Sequence, residues 1–282
     1  MTTTATPATG TATEMPTART TGAGFVTAAL QSAKRTILQF FRTPQLLMLG
    51  TVQGALFLFM FRYIFGGAID PGGGLDYVDF LVPGFLVTGI LWLGMAASSG
   101  VAEDATTGVH DRLRSLPIPR SSVLFGRSIA DTALTLWGMF VAGVLAFVVG
   151  FRLHADSLDV VLALALLVVA AYTFAWVFIT IGLVSSSAQA ANGTATLLVV
   201  PFAFISAAYV PADSLPGWMQ PVADHQPFSV LSNALRSLML GGTDAVGIGH
   251  TTTYWLVLSL AWCAGLVLVF ATIANARFGR RR

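Results

Sequence analysis

Long apolar runs separated by short polar islands set the pattern of this chain. Six runs stand out, at about Leu46–Phe65, Phe80–Val101, Val123–Gly150, Val160–Val184, Thr194–Val210 and Thr252–Ala274. With about 1.5 Å of rise per residue, a helix of about 20 residues crosses the ~30 Å hydrocarbon layer of a bilayer, so each run predicts a membrane-spanning helix. The fifth run is short and holds Pro201, which predicts a kink or an irregular end. Ahead of the first run, Val26, Leu30, Ala33, Ile37 and Phe41 fall on one helical face, while Gln31, Lys34 and Arg35 lie elsewhere. That pattern predicts an amphipathic helix lying in the membrane interface with its cations at the headgroups. A soluble helix packed on a partner is the alternative.

Two polar islands carry structure of their own. Between the second and third runs, Glu103, Asp104, Asp111, Arg112, Arg114 and Arg120 crowd into one stretch, so it lies outside the lipid. Ala105, Val109, Leu113 and Leu116 recur there at helical spacing, predicting a short amphipathic helix over about 103–116 with a narrow apolar stripe. Pro117 and Pro119 end it, because proline removes a donor and disfavours helix in the preceding residue. Between the fifth and sixth runs, residues 211–251 hold an apolar stretch, Val230–Leu240, too short to span. It predicts a helical hairpin that dips into the membrane and returns, with a cap folded on the outer mouth as the alternative. Residues 1–24 are rich in Thr, Ala, Pro and Gly and predict a disordered tail that stays attached, since no basic start with an apolar stretch and cleavage site is present. Residues 25–282 form one membrane domain on this reading.

Composition fixes the class. With 55% hydrophobic and only 10% charged residues and a mean hydropathy of +0.76, the chain is read as an all-α integral membrane protein. Charge then orients it. With the amino end inside, twelve of the 15 basic residues fall on inner segments, leaving Arg62, Arg152 and Arg236 at the other face. The outer loops are acidic instead, with Asp70, Asp76, Asp79, Asp156, Asp159, Asp213, Asp224 and Asp244. The positive-inside rule therefore predicts cytoplasmic termini and a cytoplasmic 103–116 helix in a multi-pass protein of the cell (inner) membrane. A net charge of +2, with no basic patch interleaved with aromatics, argues against a nucleic-acid surface.

Little in the sequence points to chemistry carried by this chain. The single cysteine, Cys263, makes neither a disulfide nor a metal site. Asp224, His225 and His250 match no metal-ligand spacing, so no metal and no catalytic residue is assigned. The single lysine, Lys34, lacks the glycine frame of a phosphate-binding loop, so any ATP and magnesium belong to another subunit and the chain is not itself an ATPase. Arg127 and Asp131, four apart at the inner end of the third run, are read as a mutually satisfied ion pair in preference to a proton relay. Gly50 and Gly54 have the Gly-x-x-x-Gly spacing that allows close helix approach.

Two separated motifs then carry a resemblance. Gly108, Arg112, Leu113, Arg114, Leu116, Pro117 and Arg120 in GVHDRLRSLPIPR, and Pro211, Leu215, Pro216, Trp218, Gln226, Pro227 and Arg236 further on, resemble the signatures of type-2 ABC exporter membrane subunits of the daunorubicin-resistance permease group. The resemblance covers residues from about 25 to the end. It implies two permeases, identical or related, paired with two cytoplasmic ATPase subunits. It implies that Glu103, Asp104, Val109, Arg112, Leu113, Arg114, Leu116 and Arg120 belong to a coupling helix docked on the ATPase. Pro211, Pro216, Trp218, Gln226, Pro227 and Arg236 would be the outer-loop signature, and spans one, two and five would line the path. Many Phe, Trp and Met side chains and little buried charge fit a hydrophobic or amphipathic solute moved by alternating access. A lipid-modifying membrane enzyme using Asp224 and His225 is the runner-up. A secondary transporter is the third reading, although coupling charges at mid-depth and inverted repeats are not evident.

Overall fold

The computed structural model describes residues 24–41, 52, 54–67, 75–108, 120–206, 208–209 and 215–280. Among these the fold is helical throughout, with no strand. The elements in chain order are α1 (Phe25–Phe41), α2 (Gly54–Ile64), α3 (Tyr77–Thr106), α4 (Arg120–Val149), α5 (Ser157–Val184) and α6 (Ala188–Ile205). There follow α7 (Gln220–His225), α8 (Pro227–Met239), α9 (Thr243–Val246) and α10 (Thr252–Arg280).

Five of these, α3, α4, α5, α6 and α10, are long and apolar enough to cross a membrane. The first predicted run appears as the shorter apolar helix α2, which from Phe61 onward widens to a π-helical stretch, Phe61–Phe65. Residues 46–51 of that run, and Gly50 with them, lie outside the described residues, so the Gly50–Gly54 contact is not seen as a pair. A methyl group on Gly54 would meet only the Phe85 ring, in ordinary contact. The fifth run also shifts. Its helix starts at Ala188, where the Ser187 hydroxyl accepts from the Ala190 amide at 3.1 Å. It continues through Pro201 and stops at Ile205. The N-cap bond explains the early start, since it satisfies a donor that the first helical turn leaves free.

α3 and α5 form the centre of the bundle. α3 packs against α4, α5, α6 and α8, and α10 packs on α5 and α8. Leu81, Ile90, Leu91, Phe178 and Ile179 are buried at this centre. The outer faces of α4, α6 and α10 expose Phe140, Val148, Leu197, Phe204, Val257 and Leu268. In water that much exposed apolar surface would drive aggregation, whereas against lipid chains it is already in its preferred solvent. The tail, residues 1–23, lies outside the described residues.

α1 matches the predicted interfacial helix in extent, with one change in how its faces are used. The side turned to the protein carries small residues, Ala28, Ala29, Ala33 and Thr36, and rests on α4. Phe25, Val26, Leu30 and Leu38 are exposed. An interfacial helix has two apolar surroundings to satisfy, protein and lipid. Small side chains allow close approach to the first, and large ones reach into the second.

The segment between α6 and α10 holds a hairpin laid against α10. Thr252 opens α10, so Trp262, ten residues on, lies about 15 Å further along that helix at helical rise. The Trp262 indole donates to the His225 carbonyl at 3.1 Å, and the Ser259 hydroxyl donates to the Val230 carbonyl at 3.4 Å. The α7–α8 corner therefore lies well along α10 from its start, and α8 runs back to Met239, whose carbonyl accepts from the His154 amide at 3.0 Å. Phe228 to Leu240 are all buried, which favours the dipping hairpin over the cap.

Candidate functional site

The charged groups that sequence spacing pairs, Arg127 and Asp131, are the core of a larger hub. α4 presents both on one face because four residues make just over one turn. The Arg127 Nε lies 3.0 Å from Asp131 Oδ1 and 2.9 Å from Asp131 Oδ2. Its Nη1 reaches Asp104 Oδ2 on α3 at 2.9 Å, and its Nη2 donates to the Ala97 carbonyl at 3.4 Å. Asp104 Oδ2 also takes Arg35 Nη2 from α1 at 3.1 Å. One guanidinium fork thus satisfies two carboxylates, and one carboxylate binds two arginines across three helices.

The members differ in burial, and so in strength. Asp131 is buried and the Arg127 side chain is 15% exposed, so their attraction acts in a low dielectric and each needs the other. The Arg35 side chain is 43% exposed, and its link to Asp104 is correspondingly weak. α1 is nevertheless held close. The Ser32 hydroxyl donates to the Val123 carbonyl at 3.4 Å, and a methyl group on Gly126 of α4 would run into the Ala29 carbonyl.

Glu103 and Asp104 were expected to open a separate short helix, but they form the last turn of α3. That helix ends at Thr106, where the Thr107 amide and hydroxyl both bond the Glu103 carbonyl at 2.9 Å. Gly108 follows at φ +73°, a left-handed conformation that glycine adopts without strain and that stops the helix. Glu103 is exposed while Asp104 turns inward to Arg127. Val109, Arg112, Leu113, Arg114 and Leu116 lie outside the described residues, and Arg120 is the first residue of α4. The hub thus sits under both ends of the 109–119 segment.

A second arginine lies at the other end of the bundle. Arg236 was placed on the outer face as part of a loop signature; the structure buries it completely, on α8. Its Nε donates to the Phe80 carbonyl at 2.9 Å, its Nη1 to Asn233 Oδ1 at 3.0 Å and its Nη2 to the Ala208 carbonyl at 2.7 Å. The guanidinium carbon sits 3.7 Å over the Phe80 ring, a cation–π contact. Among the described residues no carboxylate pairs with it. The Ala208–Tyr209 turn after α6 is held further by the Tyr77 hydroxyl, which donates to the Tyr209 carbonyl at 3.1 Å, and by a 2.6 Å bond between the Tyr209 and Thr88 hydroxyls. Gly84 gives this turn room, since a methyl there would run into the Ala208 carbonyl.

The rest of the outer signature divides by burial. Pro216 and Trp218 are exposed, with Trp218 at 78%. Gln226 is buried as the N-cap of α8, and Pro227 occupies the first turn, where its missing N–H is not needed. Pro211 lies outside the described residues. Asp224 and His225 do not meet other ligands: the His225 ring bonds the Pro221 carbonyl at 3.0 Å. Among the described residues, no group of three or more His, Cys, Asp or Glu side chains is placed to hold a metal. A groove of about 900 Å³ between α4, α5 and α10 is lined by Ile129, Ala133, Val168, Tyr172, Cys263 and Leu268, and carries no charged side chain.

Sequence reasoning missed Arg35 and Asp104 as members of the hub, and Asn233 as a partner of Arg236. The first two are brought together by tertiary packing across 69 positions. Asn233 was legible: Ser229, Ser232, Asn233, Arg236 and Ser237 form a polar stripe at helical spacing on an otherwise apolar helix.

The sequence is similar to those of known transport proteins. The profile described as ABC-2 type transporter matches residues 27–240. The chain is 31% identical over 249 residues to the daunorubicin resistance ABC transporter permease protein DrrB1 of Streptomyces coeruleorubidus, covering 88% of this chain and 84% of the relative. It is 24% identical over 266 residues to the probable doxorubicin resistance ABC transporter permease protein DrrC of Mycobacterium tuberculosis, covering 92% and 91%. It is 28% identical over 214 residues to the putative transport permease ycf38 of Porphyra purpurea, covering 72% and 70%.

Proposed function

The chain belongs to the ABC-2 type transporter family, and on that premise we propose that it is the permease subunit of an ATP-driven exporter of hydrophobic or amphipathic compounds. ATP and magnesium bind a separate cytoplasmic ATPase, present in two copies, and a second permease, identical or related, completes the path. Both termini and the 109–119 segment face the cytoplasm, where the basic residues gather. The names of the relatives support drugs or antibiotics as cargo.

The observation that carries this reading is the hub. The segment between α3 and α4 hangs from two helix ends that Arg127 and Asp104 join to each other and to α1. A push on that segment by a partner reaches both spans together. ATP binding closes the partner pair, the docked segment moves with it, and the joined spans tilt so that an inner opening closes and an outer one opens. Such a switch responds to a ligand only through different affinities for its two states.

Co-purification from the native membrane tests the reading. It should recover an ATPase with a phosphate-binding loop, and Leu113→Glu or Arg112→Glu should abolish both its recovery and export while the permease stays folded. Unchanged recovery and export in those variants would remove the coupling assignment.

A further inference from the structure

The interfacial helix carries a cation shared between two claims. Arg35 is 43% exposed on its side chain and bonds Asp104 at 3.1 Å, while the same Asp104 oxygen is already bonded by Arg127 at 2.9 Å. Asp104 therefore keeps a cation if Arg35 leaves. Arg127 has no such freedom, since among the described residues it is the one cation bonded to the buried Asp131.

The surroundings of Arg35 fit an anionic lipid surface. α1 holds Lys34 and Arg35 and no acidic residue. Lys34, Arg35 and Gln31 are exposed, beside the exposed apolar side chains Phe25, Val26, Leu30 and Leu38. Apolar side chains reaching the acyl boundary, with cations next to them, place the two charges at phosphate level. A half-exposed ion pair and the attraction of a cation to an anionic leaflet are comparable in size, so neither wins outright and lipid composition decides.

We propose that α1 is an anionic-phospholipid contact in which Arg35 exchanges between Asp104 and lipid phosphate, so that the charge of the leaflet sets how firmly α1 is tied to the hub. In neutral lipid Arg35 clamps α1 to the end of α3. In anionic lipid Arg35 and Lys34 turn to phosphates, Asp104 stays with Arg127, and α1 is held by its small-residue contact with α4 alone. The inference rests on the interfacial placement of α1 in the proposed function, and its test uses neither ATPase nor export.

The experiment is a double-mutant cycle over Arg35→Gln and Asp104→Asn, read as thermal unfolding midpoints of the full chain in nanodiscs. One set contains phosphatidylcholine alone and the other phosphatidylcholine mixed with phosphatidylglycerol. The expected result is a non-additive Arg35–Asp104 coupling in phosphatidylcholine that vanishes in the mixture, with Arg35→Gln and Lys34→Gln each gaining less from phosphatidylglycerol than the wild type does. Arg35→Lys, which keeps the charge, should retain that gain. A coupling of equal size in both lipids, or an equal phosphatidylglycerol gain in wild type and Arg35→Gln, would overturn the proposal.

Discussion

Among the described residues, Arg236 is fully buried and Arg127 nearly so, and their guanidinium groups are satisfied in opposite ways. Arg127 sits among charges, with Asp131 and Asp104 as partners. Arg236 sits among neutral acceptors: two backbone carbonyls, one amide oxygen and the face of Phe80. The more deeply buried cation is thus the one with no counter-ion among the described residues. Burial alone does not decide how a charge is compensated; the number and direction of its donors do. Five N–H groups in a planar fork reach three acceptors at once, and a lysine ammonium cannot match that geometry.

The difference decides what each loss leaves behind. Arg127→Met strands the buried Asp131 without a cation and leaves Asp104 only its half-exposed partner Arg35. It should destabilise the folded chain by about 3–5 kcal/mol, the largest effect expected here. Adding Asp131→Asn should recover part of that loss, measured by denaturant or thermal unfolding in one lipid mixture. Arg236→Met leaves neutral carbonyls without a donor and should cost less, about 2–3 kcal/mol. Arg236→Lys should do no better, because it keeps the charge and loses the fork. If Arg236→Met proves as damaging as Arg127→Met, the distinction between charged and neutral partners fails. The smallest effect tests the turn that Arg236 holds. Gly84→Ala should cost at least about 1 kcal/mol, since the added methyl displaces the Ala208 carbonyl. The shift should shrink when Arg236→Met is already present, because the two changes disturb one contact.

Legibility in the sequence followed the same divide. The Arg127–Asp131 pair was readable because both partners are side chains one turn apart on a single helix. For Arg236 the hairpin over 230–240 was readable, because that stretch is apolar and too short to span, whereas the contacts of its guanidinium were not. Its main partners are carbonyls, which every residue has and no sequence distinguishes. The start of the expected 103–116 helix was misread for a related reason. Glu103 and Asp104 mark the end of an apolar run by their charge, yet charge does not end a helix. Gly108 does, and the last turn before it projects beyond the apolar zone while staying helical.

What the sequence determined by itself is the class of environment. The length and spacing of the apolar runs committed the chain to helices in a membrane, because unpaired backbone groups are too costly there for irregular structure. The interfacial helix and the dipping hairpin followed from the same rule applied to runs too short or too amphipathic to span. The tertiary structure decided who meets whom. It bent α8 back between α3 and α10, set Arg236 against carbonyls 28 and 156 positions away, and drew Arg35 to an aspartate 69 positions on. Such contacts depend on packing distances between helices, and the composition of one helix does not encode the position of another.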